Sequence, residues 1–366
     1  MAGFVGVSTN VGFRRLESRR LHPDRHDHDV MIHNVTRRLV FRTMAAGAIA
    51  SSTLATPVQP AASSVQVVSS TSVTSVVDMG SPFLLIPGSC GANTRSKAGC
   101  YREQGIPSGL PDTYEQFDGF EGTVEWRMAS VTLENATGSL MTNRPLITLG
   151  VAGESILGGP GGVFFGLVRD TEDWIRPSFL SQTLVSSFQL DLGTAKKTLT
   201  LSQEPWVGSS SDQQENAIRL TLDLRRKYGD PVSHYTCRAQ SISVNGSPLV
   251  VDSGGGSWNN NNNKPIYVIF DTGVTGMVVS RDLFNERYTT ARQRKERNLW
   301  GKVDIAFSTL GGKTVTLSAN NPLTTPFDPQ QNWKKFRGHL IVVGLAFLDG
   351  KKITVDIDRK SILLEN

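Results

Sequence analysis

One pattern occurs twice in the chain: an apolar run ends in an aspartate, a glycine follows two positions later, and a second apolar run begins. The first copy reads SVVDMGSPFLLIP at residues 75–87, and the second reads YVIFDTGVTGMVVS at residues 267–280. A carboxylate at the end of a buried strand is costly to desolvate unless a partner compensates it or the site uses it. A single Asp-x-Gly is usually an ordinary turn between strands. The evidence for a functional site is therefore that the pattern occurs twice.

The repeat extends beyond the aspartates. Each copy is followed at a similar distance by a run of apolar residues that contains a glycine, VFFGLV at residues 163–168 and IVVGLAFL at residues 341–348. Two similar halves that each contribute one acid predict two β lobes that face each other across a cleft.

The rest of the chain favours an all-β protein. From Val65 onward, short β-branched runs alternate with Gly, Ser, Asn and Pro turns, which predicts many short antiparallel strands in a sandwich or barrel-like architecture. Only two segments have a convincing helical pattern, residues 177–188 and residues 280–288, where Ser280 would cap the start of the helix.

Charge and composition exclude several classes of function. Residues 1–62 contain eight arginines, no lysine and four acids, a net charge of +4 out of the total of +5, so +1 is left for the rest of the chain. The remainder therefore has no basic surface suited to nucleic acid. No apolar run reaches the roughly 18 residues of a membrane span. The histidines lack the spacing of metal ligands, so we expect neither a metal nor another cofactor.

The N-terminal segment has the features of a targeting leader. The pair Arg37-Arg38 precedes a weakly apolar stretch and small residues up to Ala62, which resembles a twin-arginine export signal. We expect a leader over residues 1–62 and lobes over residues 63–205 and 206–366, with the thylakoid lumen of a plastid as the destination. Secretion, a vacuolar location or a disordered tail are the alternatives. In an oxidising compartment Cys90 and Cys100 would form a disulfide.

Over residues 63–366 the chain resembles the pepsin-like (A1) family of aspartic peptidases. The resemblance rests on both aspartate loops and on three further segments: GGVFFGLVRD with RPSFLSQTLVSSFQLDL, HYTCRAQSISVNGSPL, and HLIVVGLAFLDGKKITVDIDRKSILL. It implies a bilobal fold of two β-barrel-like lobes around a central cleft, with few short helices. It also implies a monomer that binds a peptide or protein substrate as an extended strand, and a catalytic pair formed by Asp78 and Asp271 that shares a proton and activates water.

The resemblance also assigns supporting residues. Gly80, Ser81, Thr272, Gly273 and Thr275 would hold the two acids in place. A hairpin over TYEQFDGFEGTVEWRMASVTL would form a flap that closes over the cleft, with Phe117 as the best match to the family's flap tyrosine and Tyr114 as the alternative.

Three positions depart from the family pattern. Met79 stands where a Thr or Ser hydroxyl bonds the opposite loop, Val274 where a Ser or Thr bonds the outer carboxylate oxygen, and Leu85 where a Trp is usual. A second acidic loop at residues 251–254, VDSG, is followed by glycines and asparagines rather than an apolar strand, so Asp271 keeps the role. The chain is therefore expected to be an aspartic endopeptidase. Alternatives are an inactive pepsin-like pseudopeptidase that binds peptides or acts as an inhibitor-like module, and a purely structural protein.

Overall fold

The computed structural model describes thirteen segments of the chain: residues 38–44, 70–88, 106–117, 120–133, 145–152, 164–170, 177–194, 197–206, 211–221, 224–228, 232–251, 264–293 and 300–366. We call the chain up to residue 205 the first half and the remainder the second half. The first half contains strands β1 Arg38–Met44, β2 Ser70–Asp78, β3 Leu84–Pro87, β4 Ile106–Pro107, β5 Thr113–Phe117, β6 Phe120–Leu133, β7 Ile147–Ala152, β8 Phe164–Gly166, β9 Ser187–Asp191 and β10 Thr198–Ser202.

The second half contains β11 Ile218–Arg219, β12 Thr236–Val244, β13 Ser247–Val251, β14 Ile266–Phe270, β15 Met277–Ser280, β16 Lys302–Ser308, β17 Thr314–Asn320, β18 Thr324–Phe327, β19 His339–Val343, β20 Lys352–Asp356 and β21 Ser361–Glu365. Its helices are short: α1 Ser211–Asn216, α2 Leu224–Tyr228, α3 Arg281–Gln293, α4 Pro329–Asn332 and α5 Leu345–Leu348. The described residues thus form a mainly β structure with few helices, which confirms the predicted all-β class.

The strands form three sheets. One eight-stranded sheet has the order β1-β2-β8-β3-β7-β6-β4 with β5 paired to β6, and it belongs entirely to the first half. A second has the order β17-β16-β12-β14-β19-β15-β18 with β13 paired to β12, and it belongs entirely to the second half. The third has the order β10-β9-β20-β21-β11 and takes strands from both halves.

The two large sheets share one local arrangement at their centres. In the first sheet β2 runs parallel to β8, and β3 runs antiparallel to β8 on its other side. In the second sheet β14 runs parallel to β19, and β15 runs antiparallel to β19 on its other side. Each predicted glycine-containing apolar run therefore lies beside its predicted aspartate strand, which places the ends of β2 and β14 in equivalent positions.

A single hydrophobic cluster connects the halves. It contains Met79 and Phe188 from the first half together with Phe270 and Val355 from the second. Since burial of apolar surface is the main favourable contribution to folding, this shared core holds the two large sheets together.

The predicted helix over residues 177–188 is wrong. This stretch contains one 3-10 turn, Leu180–Gln182, and then enters β9. The Thr183 hydroxyl bonds the Leu180 carbonyl oxygen at 2.9 Å, and the Ser178 hydroxyl accepts from the Ser181 N–H at 3.2 Å. Such local side-chain bonds compete with helical ones, and pairing with β20 then draws residues 187–191 into the shared sheet.

The second predicted helix is confirmed as α3, although its predicted cap is wrong. The Ser280 hydroxyl donates to the Leu340 carbonyl oxygen at 3.1 Å and accepts from the Leu340 N–H at 2.6 Å. It therefore fixes β15 to the neighbouring β19 instead of capping the helix.

Within the predicted leader, the described residues are those of β1, which pairs with β2 and with β6. The rest of the leader lies outside the described residues. Among the residues that the structure describes, no helix has the length and apolar character needed to cross a membrane.

Candidate active site

Asp78 and Asp271 lie at the ends of equivalent strands. Asp78 ends β2, and its carbonyl oxygen accepts a hydrogen bond from the Leu167 N–H at 2.8 Å, just beyond β8. Asp271 follows β14, and its N–H donates to the carbonyl oxygen of Val343 in β19 at 3.0 Å. Each acid is thus held by the strand that runs parallel to its own. We call residues 78–81 the first loop and residues 271–276 the second loop.

The structure brings the two carboxyl groups together. Each aspartate is 1% exposed, and their side chains hydrogen-bond to each other. Two carboxyl groups in such contact cannot easily both be ionised, because like charges repel strongly where water is excluded. The chemistry of this site is therefore that of a coupled pair of acids, which we call the dyad.

Main-chain N–H groups complete the surroundings of the dyad. The Gly80 N–H donates to Asp78 Oδ1 and the Gly273 N–H donates to Asp271 Oδ1, each at 2.8 Å. The Ser81 N–H also hydrogen-bonds Asp78, and the Val274 N–H hydrogen-bonds Asp271. The two loops thus present matching donors to the two acids.

Burial raises the pKa of both acids. For Asp271 the negative charge of Asp78 raises the pKa further, while the N–H donors of the loops lower the pKa of each acid in part. The net effect is that the pair keeps a proton at a pH where an exposed carboxyl group would have lost it. One acid can then accept a proton while the other donates one.

Thr272 ties the second loop to the first. Its hydroxyl donates to the Val77 carbonyl oxygen at 2.7 Å and accepts from the Met79 N–H at 3.1 Å. Met79 offers no hydroxyl in return; its side chain is fully buried in the shared core. The connection between the loops through their side-chain hydroxyls is therefore one-sided.

The other predicted loop residues contribute in different ways. The Ser81 hydroxyl accepts weakly from the Phe83 N–H at 3.4 Å, so Ser81 supports Asp78 through its main chain rather than its side chain. The Val274 side chain packs in an aromatic cluster with Trp333 and Phe336. Thr275 has an exposed side chain that bonds none of the described residues, and its carbonyl oxygen accepts from the Ala346 N–H.

A β-hairpin is present in the segment where a flap was predicted. β5 pairs antiparallel with β6 from Thr113↔Val124 to Phe117↔Phe120. Tyr114 is 56% exposed on this hairpin. Phe117 is the last residue of β5, and its side chain lies outside the described part of the structure.

Sequence reasoning missed Trp126 in this hairpin. Its ring packs against Phe83 and Leu85 just beyond the first loop. Its indole N–H donates to the Thr113 hydroxyl at 3.1 Å, which in turn donates to the buried Glu115 carboxylate at 2.8 Å. Leu85 thus shares its pocket with a tryptophan from another strand. The alternation of apolar and charged residues in VEWRM was the available signal, but it indicated only a core position.

Among the described residues, the site contains neither a disulfide nor a cluster of metal ligands. Cys90 and Cys100 lie outside the described residues, and Cys237 is buried with a free thiol. Within the described segments, no group of histidine, cysteine and acidic side chains has the arrangement of a metal site.

The chain matches no family model, and no curated protein matches it significantly. The functional argument therefore rests on the geometry of the two loops.

Proposed function

We propose that this protein is an aspartic-type endopeptidase in which Asp78 and Asp271 activate water to hydrolyse a peptide bond. The observation that carries the proposal is the contact between two buried carboxyl groups on equivalent loops, each surrounded by main-chain donors. Perturbed acids that share a proton are suited to general acid-base catalysis. A buried acid pair that served packing alone would be costly to retain.

The reaction needs only the dyad and water. The ionised carboxylate takes a proton from water as the oxygen attacks the carbonyl carbon, and the protonated carboxyl group gives its proton to the carbonyl oxygen. In the tetrahedral intermediate the C–N bond then breaks as the nitrogen receives a proton from the dyad, and one hydroxyl group of the intermediate returns its proton to the dyad as the new C=O bond forms. The products are a carboxylic acid and an amine, and the dyad ends with the single proton it held at the start. No covalent intermediate with the protein is formed.

The proposed mode of substrate binding follows from the resemblance of the sequence to the pepsin-like family. We propose a bilobal pepsin-like arrangement in which an extended peptide lies in the cleft between the lobes and the β5–β6 hairpin closes over it. The equivalent centres of the two large sheets support this arrangement. The position of Phe117 at the end of β5 supports its role as a flap residue, with Tyr114 as the alternative. The substrate would be a peptide or protein, bound by a monomer.

The test is cleavage of a mixed peptide library by the full chain from pH 3 to pH 7, beside Asp78→Asn and Asp271→Asn. We expect cleavage by the wild type, at least a hundredfold loss in both variants, and incorporation of 18O from labelled water into the new carboxyl terminus. The matched control is Asp304→Asn, because Asp304 lies in β16 and bonds Ser318 and Lys302. A correctly folded wild type that cleaves no peptide would overturn the proposal.

One observation favours a second function. Neither Met79 nor Val274 can supply the hydroxyl group expected at its position, so the dyad lacks supports that an efficient peptidase would use. The alternative is a pseudopeptidase that binds peptides in the cleft, as a binding or inhibitor-like module. Peptides retained intact by the wild type and equally well by Asp78→Asn would favour this alternative.

We further propose that the N-terminal segment directs the protein out of the cytosol, with the thylakoid lumen of a plastid as the destination and a secreted or vacuolar location as the alternative. Arg37 and Arg38 carry this proposal. N-terminal sequencing of the protein isolated from cells tests it. A mature chain that still begins at Met1 would contradict a cleaved leader.

A further inference from the structure

Tyr235 connects the two halves of the chain through hydrogen bonds. It directly precedes β12 in the second half, is 4% exposed, and packs its ring against Phe188 with centroids 5.8 Å apart. Its hydroxyl donates to the Leu167 carbonyl oxygen at 2.6 Å and accepts from the Arg169 N–H at 3.2 Å. One side chain of the second half therefore satisfies two main-chain groups of the first.

These contacts lead to both acids. The Leu167 N–H donates to the Asp78 carbonyl oxygen at 2.8 Å. Leu167 therefore bonds Asp78 through its N–H and Tyr235 through its carbonyl oxygen. At its other end, the Tyr235 carbonyl oxygen accepts from the N–H of Phe270, the residue before Asp271, at 3.4 Å. Tyr235 is thus a short bridge between the backbones that carry the two carboxyl groups.

We infer that Tyr235 is a positioning residue that sets the distance between the two carboxyl groups. This inference rests on the proposed function, because it deepens the account of the same dyad. Thr272 also ties the first half to the second, through the Val77 carbonyl oxygen and the Met79 N–H, and Met79 provides no return bond. The dyad of this protein therefore depends on two hydroxyl groups that both come from the second half.

Two features keep the Tyr235 side chain in a fixed position. Burial raises the pKa of the Tyr235 hydroxyl, so it stays protonated and continues to donate to Leu167. Its aromatic ring lies in the shared core and has little freedom to move. The removal of the hydroxyl alone, as in Tyr235→Phe, keeps the ring and deletes the bridge.

The first test is steady-state cleavage by the full-length Tyr235→Phe protein. We expect turnover to fall roughly tenfold while KM stays within about twofold, because a looser dyad weakens the transition state and leaves ground-state binding intact. The control is Tyr288→Phe, which also loses one hydroxyl. Tyr288 stacks on Phe284 in α3, and its hydroxyl bonds none of the described residues. Adding Met79→Thr to Tyr235→Phe should recover part of the turnover, since a first-loop hydroxyl supplies a new tie between the loops.

The second test does not require cleavage. With 13C in the aspartate carboxyl groups, the dyad titrates as two macroscopic steps whose separation reports the coupling between Asp78 and Asp271. We expect the two steps to move closer together in Tyr235→Phe. The groups that face the carboxyls besides each other are the N–H groups of the two loops, and these do not titrate.

Each outcome bears on the inference. If the wild type cleaves nothing, the proposed function fails, but the titration still decides whether Tyr235 positions the dyad. An unchanged separation and a turnover equal to that of Tyr288→Phe would overturn the inference. A Tyr235→Phe chain that fails to fold would overturn it as well, because the hydroxyl would then serve folding rather than the dyad.

Discussion

Gly80 lies directly against the carboxylate of Asp271, so that a Cβ at position 80 would be 2.2 Å from Asp271 Oδ2. The relation is reciprocal, because a Cβ at Gly273 would be 2.8 Å from Asp78 Oδ1. Real Cβ atoms do not approach an oxygen so closely. Each glycine of the repeated Asp-x-Gly pattern therefore leaves room for the acid of the opposite loop.

Gly80→Ala should consequently separate the two carboxyl groups. We expect cleavage to fall at least about a hundredfold, since a displacement of about 1 Å in a catalytic group has effects of this size. Steady-state kinetics measure the loss. Gly109→Ala is the control, because a Cβ at that position meets no atom within 4 Å. Gly109 has a positive φ of 77°, so the alanine lowers stability without contacting the dyad. Equal activity of the two variants would contradict the assigned role of Gly80.

The dyad should make the protein less stable as pH rises. Burial raises the pKa of Asp78 and Asp271 in the folded state, so the folded protein binds more protons than the unfolded chain above the ordinary carboxyl pKa of about 4. The contribution of the dyad to the free energy of unfolding then decreases with increasing pH until the raised pKa of the pair is passed. Urea denaturation between pH 4 and pH 7 measures this slope. We expect it to be smaller in Asp271→Asn, which removes one of the two acids.

Asp304→Asn provides the control for this slope. A hydrogen bond from Ser318 lowers the pKa of Asp304, with partial burial opposing and Lys302 adding to the decrease. The contribution of such a group is present above the ordinary carboxyl pKa and is lost only as pH falls through its lowered value. The change between pH 4 and pH 7 should therefore persist in this variant. Burial lowers the pKa of His234 to about 3, so this histidine adds stability as pH rises toward its ordinary pKa, in the wild type and in both variants. The contribution of the dyad is therefore the difference in slope between the wild type and Asp271→Asn, and equal slopes in these two proteins would contradict the raised pKa of the dyad.

Thr272→Val should weaken the tie between the loops. The variant removes the bond to the Val77 carbonyl oxygen and leaves the buried Met79 N–H without its acceptor. A loss of about 1 to 3 kcal/mol in the free energy of unfolding is expected, together with lower turnover. Thr272→Ser keeps the hydroxyl and should retain most of both. Calorimetry and kinetics on the same preparations distinguish the variants.

Met79→Thr should change stability and activity in opposite directions. The Met79 side chain is fully buried in the shared core, so a smaller polar residue leaves a cavity that costs about 2 kcal/mol. The new hydroxyl can bond the second loop and should raise turnover. Met79→Leu alters the same core position without adding a hydroxyl, which separates the two effects. No gain in turnover from Met79→Thr in a folded, active protein would show that loop ties do not limit the reaction.

Thr113→Val should destabilise the flap hairpin. The Trp126 indole N–H would lose the Thr113 acceptor and Glu115 would lose the Thr113 donor, and both side chains are buried. We expect a loss of about 1 to 3 kcal/mol in the free energy of unfolding by urea denaturation. Thr113→Ser preserves the hydroxyl and serves as the control. If the two variants unfold at the same urea concentration, the hydrogen bonds of Thr113 contribute nothing to the hairpin.

Most of what the sequence could predict concerned the repeated pattern. The all-β class follows from alternation and turn residues, and the equivalence of the two aspartate loops follows from repetition. The β5–β6 hairpin was expected only through the resemblance to a known family. The contact between Asp78 and Asp271 was expected only through the resemblance, because residues 193 positions apart meet through tertiary packing that no local pattern encodes.

The failures have a common cause. Residues 177–188 looked helical by spacing, but pairing with a strand near the C-terminus decided their conformation. Ser280 resembled a cap, and its hydroxyl bonds a neighbouring strand instead. The roles of Trp126 and Tyr235 depend on which distant backbone group each side chain reaches. In every case a long-range contact determined the outcome.

The sheet shared by the two halves has a consequence for synthesis of the chain. β9 pairs on one side with β10, and on the other with β20, which lies close to the C-terminus. While the second half is still on the ribosome, β9 has an open edge that can pair with other chains. β14, which carries Asp271, is likewise incomplete until β19 emerges. The two carboxyl groups can therefore meet only after β19 has left the ribosome, so a chain that stops short of residue 339 carries no assembled dyad.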